Sequence, residues 1–232
     1  MSTIFKSAVG DRIIAASPCV RIALPKKTDT EVVPLSVAEV SALAAAVPNR
    51  YKALIVFAAG MGLRQGECFG LTVDRVDFLR HSVRVDRQLV SARGGPPEFG
   101  PPKSKAGFRT VPIPDVVGSA LAEHLARYRP GTSGLVFTNT AGRPLRRNTA
   151  GEMWHRAADR AGLPPWATFH DLRHFYASLL IAPGCSVKAV QKRLGHQSAM
   201  ETLDTYGHLW PDSDDETRDA VDYVLAGPTA AG

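Results

Sequence analysis

Cysteine is scarce: Cys19, Cys68 and Cys185 are the three in 232 residues, and no pair has metal-ligand or redox spacing. An odd, scattered set argues against a disulfide framework and fits reduced, buried thiols in a cytoplasmic protein. No apolar run reaches the ~18 residues that a membrane-spanning helix needs. Residues 1–16 lack the apolar core and cleavage site of a secretory signal. No internal repeat is evident. Acidic residues are thin through the middle of the chain, where residues 75–147 hold thirteen Lys/Arg against five Asp/Glu. They gather at the end, where residues 201–232 hold eight Asp/Glu against one Arg. A basic middle favours a polyanionic partner. Hydrophobic residues make up 44%, enough for a folded core and against global disorder.

The chain reads as helices, then strands, then helices. Residues from Ile4 to Ile14 suit one amphipathic helix, broken by Pro18 and Pro25, and Lys26–Pro34 reads as a linker. Ser36 with Glu39 three residues on is a capping box, opening a helix to about Val47. A second helix runs from Arg50 to Ala59. Gly60 and Gly62 end it, so Arg64 enters a third helix after a tight turn. Val73–Phe78, Ser82–Val90 and Phe108–Ile113 have strand character, with Arg80-His81 as a turn and Arg93–Pro102 as a Gly/Pro loop. Helices follow at about 115–129, 147–161, 168–181, 187–194, 199–206 and 213–225. The expected fold class is α+β, mainly α: a helical domain with a small three-stranded antiparallel sheet.

Six polar residues stand out by type and order. They are Arg64 in Gly62-Leu63-Arg64-Gln65-Gly66-Glu67, Lys103 in Pro102-Lys103-Ser104-Lys105, and His170 and Arg173 in His170-Asp171-Leu172-Arg173-His174. His196 in Leu194-Gly195-His196 and Tyr206, ten residues later, complete them. A guanidinium is a fixed charge with parallel donors that match two phosphate oxygens, so Arg64 and Arg173 can clamp one phosphate. Glu67, three residues on, can hold Arg64 or cap its turn. Lys103, expected at a hairpin tip, can protonate a departing oxygen, and Lys105 competes with it for that place. His170 and Arg173 share one helix face, with Thr168 as a cap. His170 and His174 also have the spacing of a zinc pair, but no third ligand is evident, and His174 reads as a hydrogen-bonded helix histidine. His196, past a helix end, is expected to be exposed. A tyrosine is about one part in a thousand ionised at neutral pH, so Tyr206 as a nucleophile needs a base and a cationic site.

In this order the motifs resemble the catalytic domain of the tyrosine recombinases, the phage integrase family, from about Pro34 to Trp210. The resemblance implies residues 1–33 as the remnant of an N-terminal DNA-binding domain with its linker, 34–210 as the catalytic domain, and 211–232 as an acidic C-terminal helix and tail. A chain with such a remnant is expected to be a truncated product or a fragment. The implied activity is site-specific DNA recombination through a 3′-phosphotyrosine, with Tyr206 as nucleophile, His170 as base and Lys103 as acid. Arg64, Arg173 and His196 would hold the phosphate. It implies no metal or cofactor, double-stranded DNA as partner, a monomer in solution and a homotetramer on DNA. It also implies no membrane partner and a cytoplasmic, bacterial or phage-encoded setting. The C-terminal helix would dock on a neighbouring protomer or fold back on its own domain. Three other readings stay open: a type IB topoisomerase-like enzyme, a catalytically idle DNA-binding fragment, and a metal-dependent nuclease.

Overall fold

The computed structural model describes residues 2–20, 22, 31–91, 95–211 and 214–225. The chain divides into two compact units, Met1–Thr30 and Glu31–Gly232. In the first, helix α1 (Ser2–Gly10) ends at a glycine and is shorter than the sequence pattern suggests. Most of the expected linker, together with Ala92, Arg93 and Gly94 of the Gly/Pro loop, lies outside the described residues.

The second unit opens with α2 (Val37–Ala46), α3 (Asn49–Met61) and the short α4 (Gln65–Phe69). Ser36 and Glu39 form the capping box at the start of α2, with the Glu39 amide donating to Ser36 Oγ at 3.2 Å. Helix α3 buries Ala53, Leu54, Ile55, Phe57, Ala58, Ala59 and Met61, well over half of its circumference. So wide a buried face belongs in a core, and α3 packs against α2, α5 (Asp115–Arg127) and α7 (Asp171–Ile181).

Between α4 and α5 lie β1 (Val76–Asp77), β2 (Ser82–Val85), β3 (Gln88–Ser91), β4 (Pro97–Gly100) and β5 (Arg109–Pro112). A three-stranded antiparallel sheet runs in the order β1-β2-β5, and β3 pairs with β4 as a separate hairpin. The expected fold class therefore holds, but the strand assignments change in three places. Val73–Arg75 is a 3₁₀ turn rather than strand. The single strand expected over Ser82–Val90 breaks at Asp86-Arg87, where the Asp86 carboxylate collects Arg75 at 2.9 Å and Arg87 at 3.1 Å. The expected Gly/Pro loop contains β4, whose proline stands at the strand's first position, where proline is tolerated.

The remaining helices are α6 (Arg147–Arg160), α7, α8 (Val187–Leu194), α9 (Ala199–Tyr206) and α10 (Asp214–Leu225). Tyr176, Ala177, Ile181, Val190, Leu194 and Tyr206 make a second apolar cluster where α7, α8 and α9 meet. Helix α7 starts at Asp171, later than expected, because the Asp171 carboxylate accepts from both the backbone and the hydroxyl of Thr168 at 2.7 and 2.8 Å.

Candidate active site

The site is built on two helix ends that only glycine can make. Gly62 closes α3 at φ +61°, and a Cβ there would lie 2.1 Å from the ring of Tyr176. Gly195 closes α8 at φ +67°, and a Cβ would lie 2.8 Å from the Ala106 carbonyl oxygen. Left-handed backbone and close approach both exclude a larger residue.

The end of α8 carries carbonyls without helical partners. Three consecutive ones are each taken by a different arginine. Arg193 O accepts from Arg109 Nε at 2.9 Å, Leu194 O from Arg173 Nη2 at 2.7 Å, and Gly195 O from Arg64 Nη2 at 3.3 Å. The negative end of the helix dipole favours cations there. Arg173 also donates to Gly62 O at 2.8 Å, so this one side chain ties the ends of α3 and α8 together. It is 2% exposed, and burial and the nearby Arg64 lower its pKa to about 10. It therefore stays cationic at neutral pH.

Glu67 is the carboxylate beneath these arginines. Arg109 meets it with two bonds, at 3.2 and 2.9 Å, while Arg64 gives its backbone amide at 3.0 Å and its side chain at 3.3 Å. Burial alone would raise the Glu67 pKa, but Arg109 and Arg64 outweigh it and keep the group ionised. Both roles expected of Glu67, holding Arg64 and capping its turn, are present. Its bidentate pair with Arg109 is not visible in the sequence.

Arg64, Lys103, His170, Arg173 and His196 line one cavity of about 190 Å³, with Ser104, Gln197 and Glu201. Arg64, Lys103 and His170 also border a wider adjoining cleft of about 740 Å³ that includes Arg147 and His155. Lys103 lies in the bend after β4 and before a 3₁₀ turn at Lys105–Gly107, not at a hairpin tip. Lys105, also among the described residues, is exposed and does not line the cavity.

His196 corrects a second expectation. It is buried, 7% exposed, rather than open to solvent. Its Nδ1 lies 2.9 Å from Thr202 Oγ1 and its Nε2 3.9 Å from Glu201. Burial, with Arg173 nearby, holds its pKa down at about 4, so the ring is neutral at pH 7. His170 stands at the rim with an open surface. Lost hydration in the cleft, then His174 and Arg173, lower its pKa to about 4 as well.

Tyr206, the last residue of α9, does not line the cavity. It is 1% exposed, and its ring lies parallel to that of His196 at 6.3 Å. Burial pushes its phenol up to about 12, against the pull of Arg173. Its hydroxyl pairs with His174 Nδ1 at 2.8 Å. The sequence pointed to His170 for this contact. His170 instead packs edge-on against His174 at 4.8 Å. His174 is the hydrogen-bonded helix histidine that the sequence suggested, with Tyr206 as the partner it did not reveal, and Arg109 was not singled out at all.

Comparison with known proteins agrees with this arrangement. The phage integrase family profile matches residues 29–212. A tyrosine recombinase XerC-like protein of Caldanaerobacter subterraneus subsp. tengcongensis is 32% identical over 91% of this chain. A putative prophage phiRv2 integrase of Mycobacterium tuberculosis is 30% identical over 88%. The chain spans 61% of the first relative's length and 55% of the second's. Among solved structures, the Tn1549 transposon integrase in complex with a circular intermediate DNA aligns with a TM-score of 0.78 and 23% identity, covering 97% of this chain and 76% of that one. XerA recombinase aligns at 0.62 and 22%, covering 90% and 69%. With the profile covering most of its length and the expected residues gathered on one fold, the chain belongs to the phage integrase family and carries the tyrosine recombinase catalytic fold.

Proposed function

We propose that the chain cuts and rejoins DNA at specific sites through a covalent bond between Tyr206 and a 3′ phosphate. The observation that carries this reading is the convergence of Arg64, Lys103, His170, Arg173 and His196 on one cavity, with the Tyr206 ring parallel to that of His196. Tyr206 Oη attacks phosphorus, the bond to the 5′ oxygen breaks, and the phenol proton passes to a histidine. Lys103 protonates the departing 5′ oxygen. Attack by a 5′ hydroxyl runs the steps in reverse, so the ester conserves the bond energy and no nucleotide cofactor is consumed. Arg64 and Arg173 hold the non-bridging oxygens as negative charge builds on them. The partner is double-stranded DNA, met in the bacterial cytoplasm. The chain is a monomer alone and a tetramer on paired sites, with α10 docking on a neighbour.

Covalent trapping tests the reading. A nicked suicide duplex carrying the junction sequence of the parent element, incubated with EDTA, should yield a protein–DNA adduct that Tyr206→Phe abolishes. The buried, hydrogen-bonded Tyr206 favours a second reading, a catalytically idle DNA-binding module. Intact binding without an adduct would select it.

A further inference from the structure

We propose that His174 takes the proton of Tyr206 as the phenol attacks and returns it when the strand is resealed. This rests on the proposed recombinase chemistry and names a catalytic group within it. His174 Nδ1 lies 2.8 Å from Tyr206 Oη, and the two rings meet edge to face at 5.5 Å. Tyr206 is 1% exposed, so bulk water is not at hand as an acceptor. Among the described residues the hydroxyl has no other hydrogen-bond partner. A buried phenol proton needs an acceptor. If Nδ1 carried a hydrogen toward Oη, the phenol proton would be orphaned, so the pairing that satisfies both groups has the phenol donating to a bare Nδ1.

The surroundings suit an acceptor. His174 is half-buried on α7. Facing it are Asp171 and Arg173 from α7, His170 at its N-terminal cap and Tyr206 from α9. Burial, then Arg173, lower its pKa against the opposing pull of Asp171, leaving a neutral imidazole at neutral pH. The His196 ring, which lines the phosphate cavity, lies parallel to the Tyr206 ring. The Tyr206 ring thus sits beside a ring that lines the cavity, while its hydroxyl pairs with His174. The step balances. The Oη–H bond gives its proton to Nδ1, the Oη–P bond forms, the P–O5′ bond breaks, and O5′ takes a proton from Lys103.

The test measures adduct formation on the same suicide duplex for His174→Ala, His174→Gln and Lys103→Ala. Each is assayed with natural tyrosine and with a fluorinated, more acidic tyrosine at position 206. His174→Ala should slow cleavage by about 10²–10⁴-fold, the range of general acid–base help. His174→Gln keeps a hydrogen-bonding group but cannot take a proton, and should be about as slow. Fluorotyrosine should recover most of the His174→Ala loss, because a phenol that ionises readily needs no base. A duplex with bridging sulfur at the 5′ position, whose leaving group needs no proton, should rescue Lys103→Ala and leave His174→Ala slow. Full activity in His174→Gln, or a His174→Ala defect that fluorotyrosine leaves unchanged, would make His174 a packing residue and overturn the proposal. If the unaltered chain forms no adduct, the recombinase reading itself fails and takes this one with it.

Discussion

Arg173 has five N–H groups to give, and at least two go to the fold, at Gly62 O and Leu194 O, before any substrate arrives. A lysine offers a point charge in place of the planar fork. Arg173→Lys should therefore cost about 1–3 kcal/mol for each carbonyl left unpaired, read by urea unfolding, as well as activity. Arg64 is less deeply held, so Arg64→Ala should lose about 10²–10³-fold in cleavage rate with a smaller loss of stability. His196 gives the pH signature. Its folded pKa of about 4 lies below the 6.5 of a free imidazole, so between these pH values the unfolded chain binds the proton that the folded chain refuses. Its contribution is full above about pH 6.5, is lost as pH falls toward 4, and levels off below. Melting temperatures at pH 7.5 and 5 should differ less in His196→Asn than in the parent. Motif and order picked out six residues, of which five line one cavity and the sixth, Tyr206, has its ring parallel to that of His196. Arg109 was not, because it is one of thirteen basic residues in the middle segment, and only its buried contact with Glu67 distinguishes it. His174 was read as a helix histidine because nothing local signals a partner 32 residues away.

Two helix stops set the geometry at the next scale. Gly62→Ala must hold φ +61° and push Tyr176 aside. The backbone term alone is of order 1–3 kcal/mol, and the ring contact adds to it. Chemical denaturation should show a lower midpoint with an unchanged slope, and activity should fall with Arg64 displaced. The helices were readable to within a few residues because capping boxes, prolines and glycines punctuate them. The strands were less so. Val85 and Leu89 both have strand character, but the two belong to different sheets. What separates them is the ion pairing of Asp86 with Arg75, an event of tertiary structure. Likewise β4 is stabilised by pairing with β3, not by its own composition of Pro97, Glu98, Phe99 and Gly100.

For the molecule as a whole, charge and exposure bear on the proposed assembly on DNA. Helix α10 is acidic and leaves Val221, Tyr223, Val224 and Leu225 exposed. Deleting residues 211–232 should abolish tetramers on paired DNA sites, measured by native mass or gel shift, while single-site cleavage persists. Unchanged assembly would mean that the segment folds back on its own domain. The basic middle segment implies binding that weakens steeply with salt. The arginine cluster at the end of α8 carries a thermodynamic consequence. Three guanidiniums converge on the end of α8 while one buried carboxylate, Glu67, bonds two of them, Arg64 and Arg109, so the folded protein holds an electrostatic deficit that a phosphate would cancel. On the proposed function, a DNA phosphate would be the missing counter-ion of the fold. Linkage demands that saturating DNA raise the melting temperature, by the equivalent of about 2.7 kcal/mol at a hundred times Kd. That stabilisation should shrink in Arg64→Ala, where part of the deficit is gone before DNA binds.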